Sequence, residues 1–239
     1  MERLDKFLCG SGAGTRSQVK DILKAGRVTV DGNPEKDGSR KIDPAVHTVT
    51  LDGQPLGGKR RMVVMLNKPA GYVTATEDAA EKTVMELLPE AWRHMDLRPV
   101  GRLDKATEGL LLFTNDGDFA QRLLHPRHQV DKVYLVTVRG DIRGAAERLM
   151  AITELDGEPI APAQAEEVSR SGGQALLRVT IHQGKNRQVR RMCARIGLHV
   201  ARLQRVQEDT LLLGSLPPGK WRYLTDKELQ SIKGGAACE

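Results

Sequence analysis

The sequence predicts an α+β protein of two unequal domains, and three observations carry that reading. Strand-like and helix-like runs both occur after Met62, but they do not alternate in the regular order that builds a parallel sheet. A mixed or antiparallel sheet flanked by helices is therefore expected. Residues 53–61 hold Gly, Pro and charge without periodicity, the composition of a linker, and divide a module at 1–58 from a larger domain at 62–233. The chain has 239 residues, 39% hydrophobic and 28% charged, enough apolar material for real cores. Only 3% is aromatic, so those cores are built from Leu, Val, Ile and Met, and binding on broad aromatic platforms is disfavoured.

Taken in order, residues 3–8 place Leu4, Phe7 and Leu8, and residues 17–25 place Val19, Ile22 and Leu23, at helical spacing. Ser17 is expected to cap the second helix and Gly26 to end it. Arg27-Val28-Thr29-Val30 reads as a strand turned by Asp31-Gly32, a strong hairpin signal, with a partner at 47–51. In the larger domain, strands are expected at 62–66, 109–114, 132–138, 174–182 and 198–206. Helices are expected at 83–88, 116–124, 144–151, 186–196 and 225–233, and residues 234–239 form a flexible tail.

Several classes fall away at once. The longest apolar runs hold about five residues, far short of a bilayer span. Met1 is followed by Glu2, Arg3, Asp5 and Lys6 rather than by a signal-peptide pattern. Cys9, Cys193 and Cys238 are too few and too scattered for a disulfide framework or a cysteine-rich zinc site. A cytoplasmic protein without membrane contact, metal or cofactor is expected.

The net charge of +6 is unevenly spread: +4 over residues 1–61, −5 over 62–177 and +7 over 178–239. Basic ends around an acidic middle fit a polyanion held at two places, although on charge alone an ordinary solvated surface is the better reading. In the first module the positive charge lies on or beside the two helices, at Arg3, Lys6, Arg16, Lys20, Lys24 and Arg27.

Three segments carry candidate chemistry. In Gly101-Arg102-Leu103-Asp104-Lys105 an acidic residue sits in a polar loop between apolar segments, where it can present a carboxylate to a cleft or simply order a turn. In Gly184-Lys185-Asn186-Arg187-Gln188-Val189-Arg190-Arg191-Met192, Asn186 is expected as the helix cap. A wheel of about 100° per residue gathers Val189, Met192, Cys193 and Ile196 into an apolar stripe. Arg187, Arg191 and Arg195 fall on the opposite face, whereas Arg190 lies on the flank of the stripe and needs a carboxylate or phosphate partner. In Lys132-Val133-Tyr134-Leu135-Val136, Tyr134 alternates with core positions of a strand, the commonplace setting of a half-buried tyrosine.

The opening residues, from Arg-Leu-Asp-Lys-Phe to Gly-Arg-Val-Thr-Val-Asp-Gly, resemble the αL RNA-binding domain named after ribosomal small-subunit protein four. The rest resembles the pseudouridine synthases that modify ribosomal RNA, in the small-subunit branch. That likeness is carried by Leu66-Asn67-Lys68-Pro69-Ala70-Gly71-Tyr72, Gly101-Arg102-Leu103-Asp104, Asn115-Asp116-Gly117, Leu124-His125-Pro126, Lys132-Val133-Tyr134 and the segment from Gly184 to Met192. The resemblance implies a pseudouridine synthase fold and isomerisation of a uridine flipped out of its stack, without a cofactor. It implies Asp104 as nucleophile, at the anomeric carbon or at carbon 6 of the base, Tyr134 as the aromatic partner and Arg190 as the cation paired with Asp104. Arg102, Lys185, Arg187 and Arg191 join the basic residues of the first module as expected RNA contacts. The partner implied is ribosomal RNA or a pre-ribosomal particle, bound by a monomer. Ala106 stands where many relatives carry a second acid.

Two other classes compete. A ribosome-assembly factor could keep the fold without catalysis, but it would have no need for Asp104, Tyr134 and Arg190 together. An acid–base hydrolase would want a second carboxylate near Asp104, which Ala106 does not supply and Glu108 could.

Overall fold

The computed structural model describes residues 1–44, 46–57, 62–90, 92 and 95–232. The last four residues of the expected linker, Lys233, Cys238 and the expected tail at 234–239 lie outside the described residues. Two compact units result. The first joins residues 1–62 with 88–98 and 114–116, and the remainder forms the second.

In the first unit, helices Leu4–Gly10 and Arg16–Lys24 pack over a short sheet whose strands lie in the order Asn33–Pro34, Val28–Val30, Val49–Leu51, Gln54–Pro55. Leu4, Phe7, Leu8, Val19, Leu23, Val28, Val30 and Ile42 form its core. The second helix is capped by Thr15 rather than Ser17. Gln18 N donates to Thr15 Oγ1 at 3.3 Å while Thr15 N donates to Gln18 Oε1 at 2.8 Å, a reciprocal capping box that Ser17 has no Gln or Glu three residues on to complete. Gly26 ends the helix in the left-handed region at φ 70°, as expected. Asp31 and Gly32 both take positive φ, the twist that a two-residue hairpin turn needs.

The second unit is built on a nine-stranded sheet. Its main path runs Gln164–Ser171, Gln174–Ile181, Lys132–Gly140, Leu198–Glu208, Glu108–Thr114, Val63–Lys68, Trp221–Tyr223. Pairing is antiparallel along most of the path and parallel between Leu198–Glu208 and Glu108–Thr114, so the sheet is mixed, as expected. The helices shorten at their ends to Gly117–Leu124, Ala145–Met150, Gln188–Arg195 and Asp226–Ser231, and the helix expected at 83–88 is a single 3₁₀ turn, Val84–Leu87. Val63, Met65, Leu110, Leu112, Phe119 and Leu123 anchor one core of this unit. The edge strand Gln164–Ser171 escapes the apolar pattern because nearly all of its residues are exposed.

Gly109 makes the parallel pair possible. It stands opposite Arg205, and a β-carbon there would sit 2.1 Å from the Arg205 carbonyl oxygen. Its φ of 106° also lies where L side chains are strained. Gly109→Ala should destabilise the protein by about 3 kcal/mol, from overpacking and backbone strain together, read as a lower urea midpoint.

Candidate active site

A cavity of about 1000 Å³ opens on the second unit where the loop after Val100, the strand Lys132–Gly140 and the start of the helix Gln188–Arg195 converge. Asp104, Tyr134, His182, Arg187, Arg205 and Glu208 all line it.

The loop bearing Asp104 is fixed by its backbone. Lys68 is wholly buried, and its Nζ donates to the carbonyls of Pro69, Asp104, Lys105 and Thr107 at 3.1, 3.2, 3.3 and 2.8 Å. Thr74 Oγ1 donates to the Leu103 carbonyl at 2.7 Å and accepts from Leu103 N at 3.2 Å. Gly71 N donates to the Lys105 carbonyl at 2.8 Å. These contacts hold the loop without using the Asp104 carboxylate, which stays 27% exposed to the cavity. Asp104 is therefore presented, not spent on turn formation.

Lys68 carries a pH signature. Burial pushes its ammonium down from 10.5 to about 8, opposed by the charges of Asp104 and Glu108. Below about pH 8 the group is charged in both the folded and the unfolded chain, and its desolvation cost stands in full. Between about 8 and 10.5 the unfolded chain keeps a proton that the folded chain has released, so this group makes stability rise with pH. The slope is at most about 1.4 kcal/mol per pH unit. Lys68→Met lacks it, so across that window the stability difference between variant and wild type should widen in favour of wild type, read by urea titrations.

The arginines differ from the helical-wheel expectation. The helix begins at Gln188, not at Asn186, because Arg187 adopts a left-handed backbone with φ 48° and takes the N-cap position. That turn removes Arg187 from the helix face assigned to it and leaves its Nη1 3.9 Å from Asp104 Oδ2. Arg190, expected to pair with Asp104, instead donates from Nη2 to the Ala106 carbonyl at 2.9 Å, and no ion pair to Asp104 forms. The partly buried flank foreseen for Arg190 is observed, and its Nε is buried without a hydrogen-bond partner among the described residues. Burial pushes the Arg190 guanidinium down, the neighbouring charge of Arg187 adds to this, and Asp104 opposes both. The direct cation is thus Arg187, with Arg190 clasping the next turn of the same loop.

Tyr134 stands opposite Arg205 and Val179 in the ladder and is almost fully buried. Burial pushes its phenol up, and the charge of Arg205 opposes this. Beneath the ring lies a buried ion pair that the sequence reading missed. Arg205 donates from Nε to the Leu110 carbonyl at 2.8 Å, and its Nη2 lies 3.2 Å from Glu208 Oε2; the side chains are 2% and 0% exposed. Arg205 Nη2 and both Glu208 oxygens have no hydrogen bond of good geometry among the described residues. Lys132, whose ammonium burial pushes down and Glu208 opposes, completes the floor. A signal was available: Arg205 shares strand parity with buried Leu203, so alternation puts its charge on the inward face.

The other expected RNA contacts divide between the two units. Arg3, Lys6, Arg16, Lys20 and Lys24 line a separate cavity of about 620 Å³ in the first unit. Arg3 is paired there with Asp5 at 2.6 Å. Arg27 lies outside that lining and is paired with Asp52. In the second unit Arg102 is exposed on the cavity wall, Lys185 pairs with Glu158 at 2.9 Å, and Arg191 pairs with Asp156. Among the described residues no helix is long and apolar enough to cross a membrane.

A mixed sheet thus carries a carboxylate loop and a buried tyrosine on one cavity, and the chain belongs to the pseudouridine synthase family. Residues 62–195 match the RNA pseudouridylate synthase family model, and residues 2–46 match the S4 domain. The chain is 39% identical to the RNA pseudouridine synthase YtzG of Bacillus subtilis (strain 168), over 96% of this chain and 98% of that protein. It is also 39% identical to ribosomal small subunit pseudouridine synthase A of Vibrio parahaemolyticus, over 96% and 99%. A crystal structure of a pseudouridylate synthase superposes with a TM-score of 0.65 at 31% identity, covering 97% of this chain and 99% of that one. The chain is an isomerase with an S4 domain at its N-terminus.

Proposed function

We propose that the chain converts one specific uridine of ribosomal RNA to pseudouridine, acting in the cytoplasm as a monomer on the free RNA or a pre-ribosomal particle. Asp104 carries this reading: it is the carboxylate that a backbone-tethered loop presents to the cavity, 3.9 Å from a guanidinium and facing a buried tyrosine's pocket. The target base flips out of its stack, at a cost of a few kcal/mol. Asp104 attacks the anomeric carbon or carbon 6, the bond from nitrogen 1 to ribose breaks, the base turns, carbon 5 forms the new bond to the anomeric carbon, and the bond to Asp104 breaks to release the free carboxylate. The carbon-5 proton leaves and nitrogen 1 gains one, so the product is an isomer. Arg187 balances the carboxylate charge, and Arg190 holds the loop behind it. Tyr134, its phenol pushed up by burial, meets the substrate protonated and serves as the wall against which the base stacks.

Phosphate contacts of the basic helices in the first unit, and of Arg102 and Arg187 at the cavity, offset the flipping cost. Lys20→Ala and Lys24→Ala should each weaken binding with little change in the saturating rate, lowering the slope of log affinity against log salt by about one for each phosphate contact removed. The reading as a whole is tested by pseudouridine mapping of ribosomal RNA from cells with and without this protein. One uridine that loses its modification, and regains it with the purified protein, is the expected result; an unchanged map overturns it.

A further inference from the structure

His182 and Asp131 form a pair that the proposed chemistry does not use. Asp131 immediately precedes the strand Lys132–Gly140 and His182 immediately follows Gln174–Ile181, whose ladder ends at Lys132 opposite Ile181. The pairing brings the two side chains to the same end of the sheet, where His182 Nδ1 donates to Asp131 Oδ1 at 2.5 Å. The Asp131 backbone is itself fixed, its carbonyl accepting from Asp209 N at 2.8 Å. The imidazole is a wall of the cavity and remains 32% exposed.

A carboxylate at Nδ1 decides the tautomer. The proton of the neutral ring sits on Nδ1, and Nε2 carries a lone pair. Nε2 has no hydrogen-bond partner among the described residues. The site is therefore an acceptor looking for a donor. Asp131 lies three residues from Tyr134, about 10 Å along the strand, beyond the reach of a uracil stacked on that ring. The donor must come from a nucleotide beside the target. The exposed guanidiniums of Arg102 and Arg187 on the same cavity draw the phosphate backbone past this wall, and the donor that every RNA sugar carries along its backbone is the 2′-hydroxyl.

We propose that His182, locked by Asp131, reads the ribose of a nucleotide flanking the target: its Nε2 accepts a hydrogen bond from that 2′-hydroxyl, so the site prefers RNA to DNA there. The inference rests on the reading of the cavity as the uridine site of an RNA-modifying enzyme. His182 is a specificity residue and takes no part in bond making.

The first arm measures affinity of the full chain for short oligouridylate and for the matching oligodeoxyuridylate by fluorescence anisotropy. Wild type should prefer the ribose form, and His182→Ala should shrink that preference by about 5-fold, the worth of one hydrogen bond. His182→Gln, which keeps an acceptor on a side chain of similar reach, should restore part of it. The second arm walks a single 2′-deoxy or 2′-O-methyl substitution across an RNA fragment containing the mapped uridine and measures kcat/KM. One flanking position should cost wild type about 5-fold with either substitution and cost His182→Ala nothing further. Equal losses on ribose and deoxyribose in the first arm, or a loss in His182→Ala that grows as salt falls, overturn the proposal, the latter marking a phosphate contact instead. Wild type that fails to modify the fragment refutes the uridine reading, whereas the binding arm still decides the role of His182.

Discussion

Asp104→Asn should abolish pseudouridine formation while leaving the urea midpoint and the RNA affinity close to those of wild type. The substitution is isosteric, and the loop that carries it is held by Lys68, Thr74, Gly71 and Arg190 through backbone groups, none of which the change removes. What the amide forfeits is the 3.9 Å ion pair with Arg187, whose side chain is 53% exposed. Exposed pairs contribute about 0–1 kcal/mol, so stability should fall by no more than that. Turnover is another matter, because an amide is a poor nucleophile at either the anomeric carbon or carbon 6. Single-turnover rates should fall by about 10⁴-fold or more, the scale on which a missing nucleophile registers. An Asn variant that turns over at the wild-type rate removes Asp104 from the mechanism, and a large fall in stability shows that the carboxylate serves the fold.

The contrast between Asp104 and Arg190 shows what local sequence determines at this site. Asp104 was legible because the signal is local: a polar loop between two apolar strands, whose ends the pattern places well. Tyr134 was legible as a strand position, and its place in the pocket follows once Lys132–Gly140 lies in the middle of the sheet. The ion pair to Asp104 was not, because a helical wheel assumes a helix, and the single left-handed residue Arg187 shifts the start by two positions. A non-glycine residue at φ 48° carries no sequence mark of its own, and strained backbone of this kind gathers where a structure over-determines it, functional sites among them. The cap at Thr15 was readable in principle, since Gln18 three residues on completes the capping box. Edge strand Gln164–Ser171 was not readable by alternation, because both of its faces meet solvent. Arg205 and Glu208 sit between these cases. Parity alone places Arg205 inward, but only the fold reveals that its partner is Glu208, one helical turn's worth of sequence away yet on a strand.

That buried pair yields the second large effect. Removing one member of a buried ion pair leaves the other charge desolvated and unanswered, at about 3–5 kcal/mol. Arg205→Met should therefore be among the most destabilising single changes in the second unit, since it strands Glu208, 0% exposed, and also frees the Leu110 carbonyl. Replacing both partners by apolar groups of similar volume removes the stranded charge, and such replacements are often neutral or stabilising. Arg205→Met with Glu208→Leu should recover most of the lost stability. Activity should not follow. Arg205 stands opposite Tyr134 in the ladder, and its charge opposes the effect of burial on that phenol. With the guanidinium gone the strand position facing Tyr134 is repacked and its charge removed, so the tyrosine wall no longer holds the base in one pose. The double variant should bind RNA with wild-type affinity, because neither side chain reaches solvent, and should show a reduced single-turnover rate at saturation. Phenylalanine at position 134 separates the effect of the charge from packing: in the Tyr134→Phe background the double replacement should cost no further rate, since the hydroxyl on which the Arg205 charge acts is already absent. A double variant that regains both stability and rate would assign the pair to the fold alone, and an additive loss in the Tyr134→Phe background would break the link between Arg205 and the phenol.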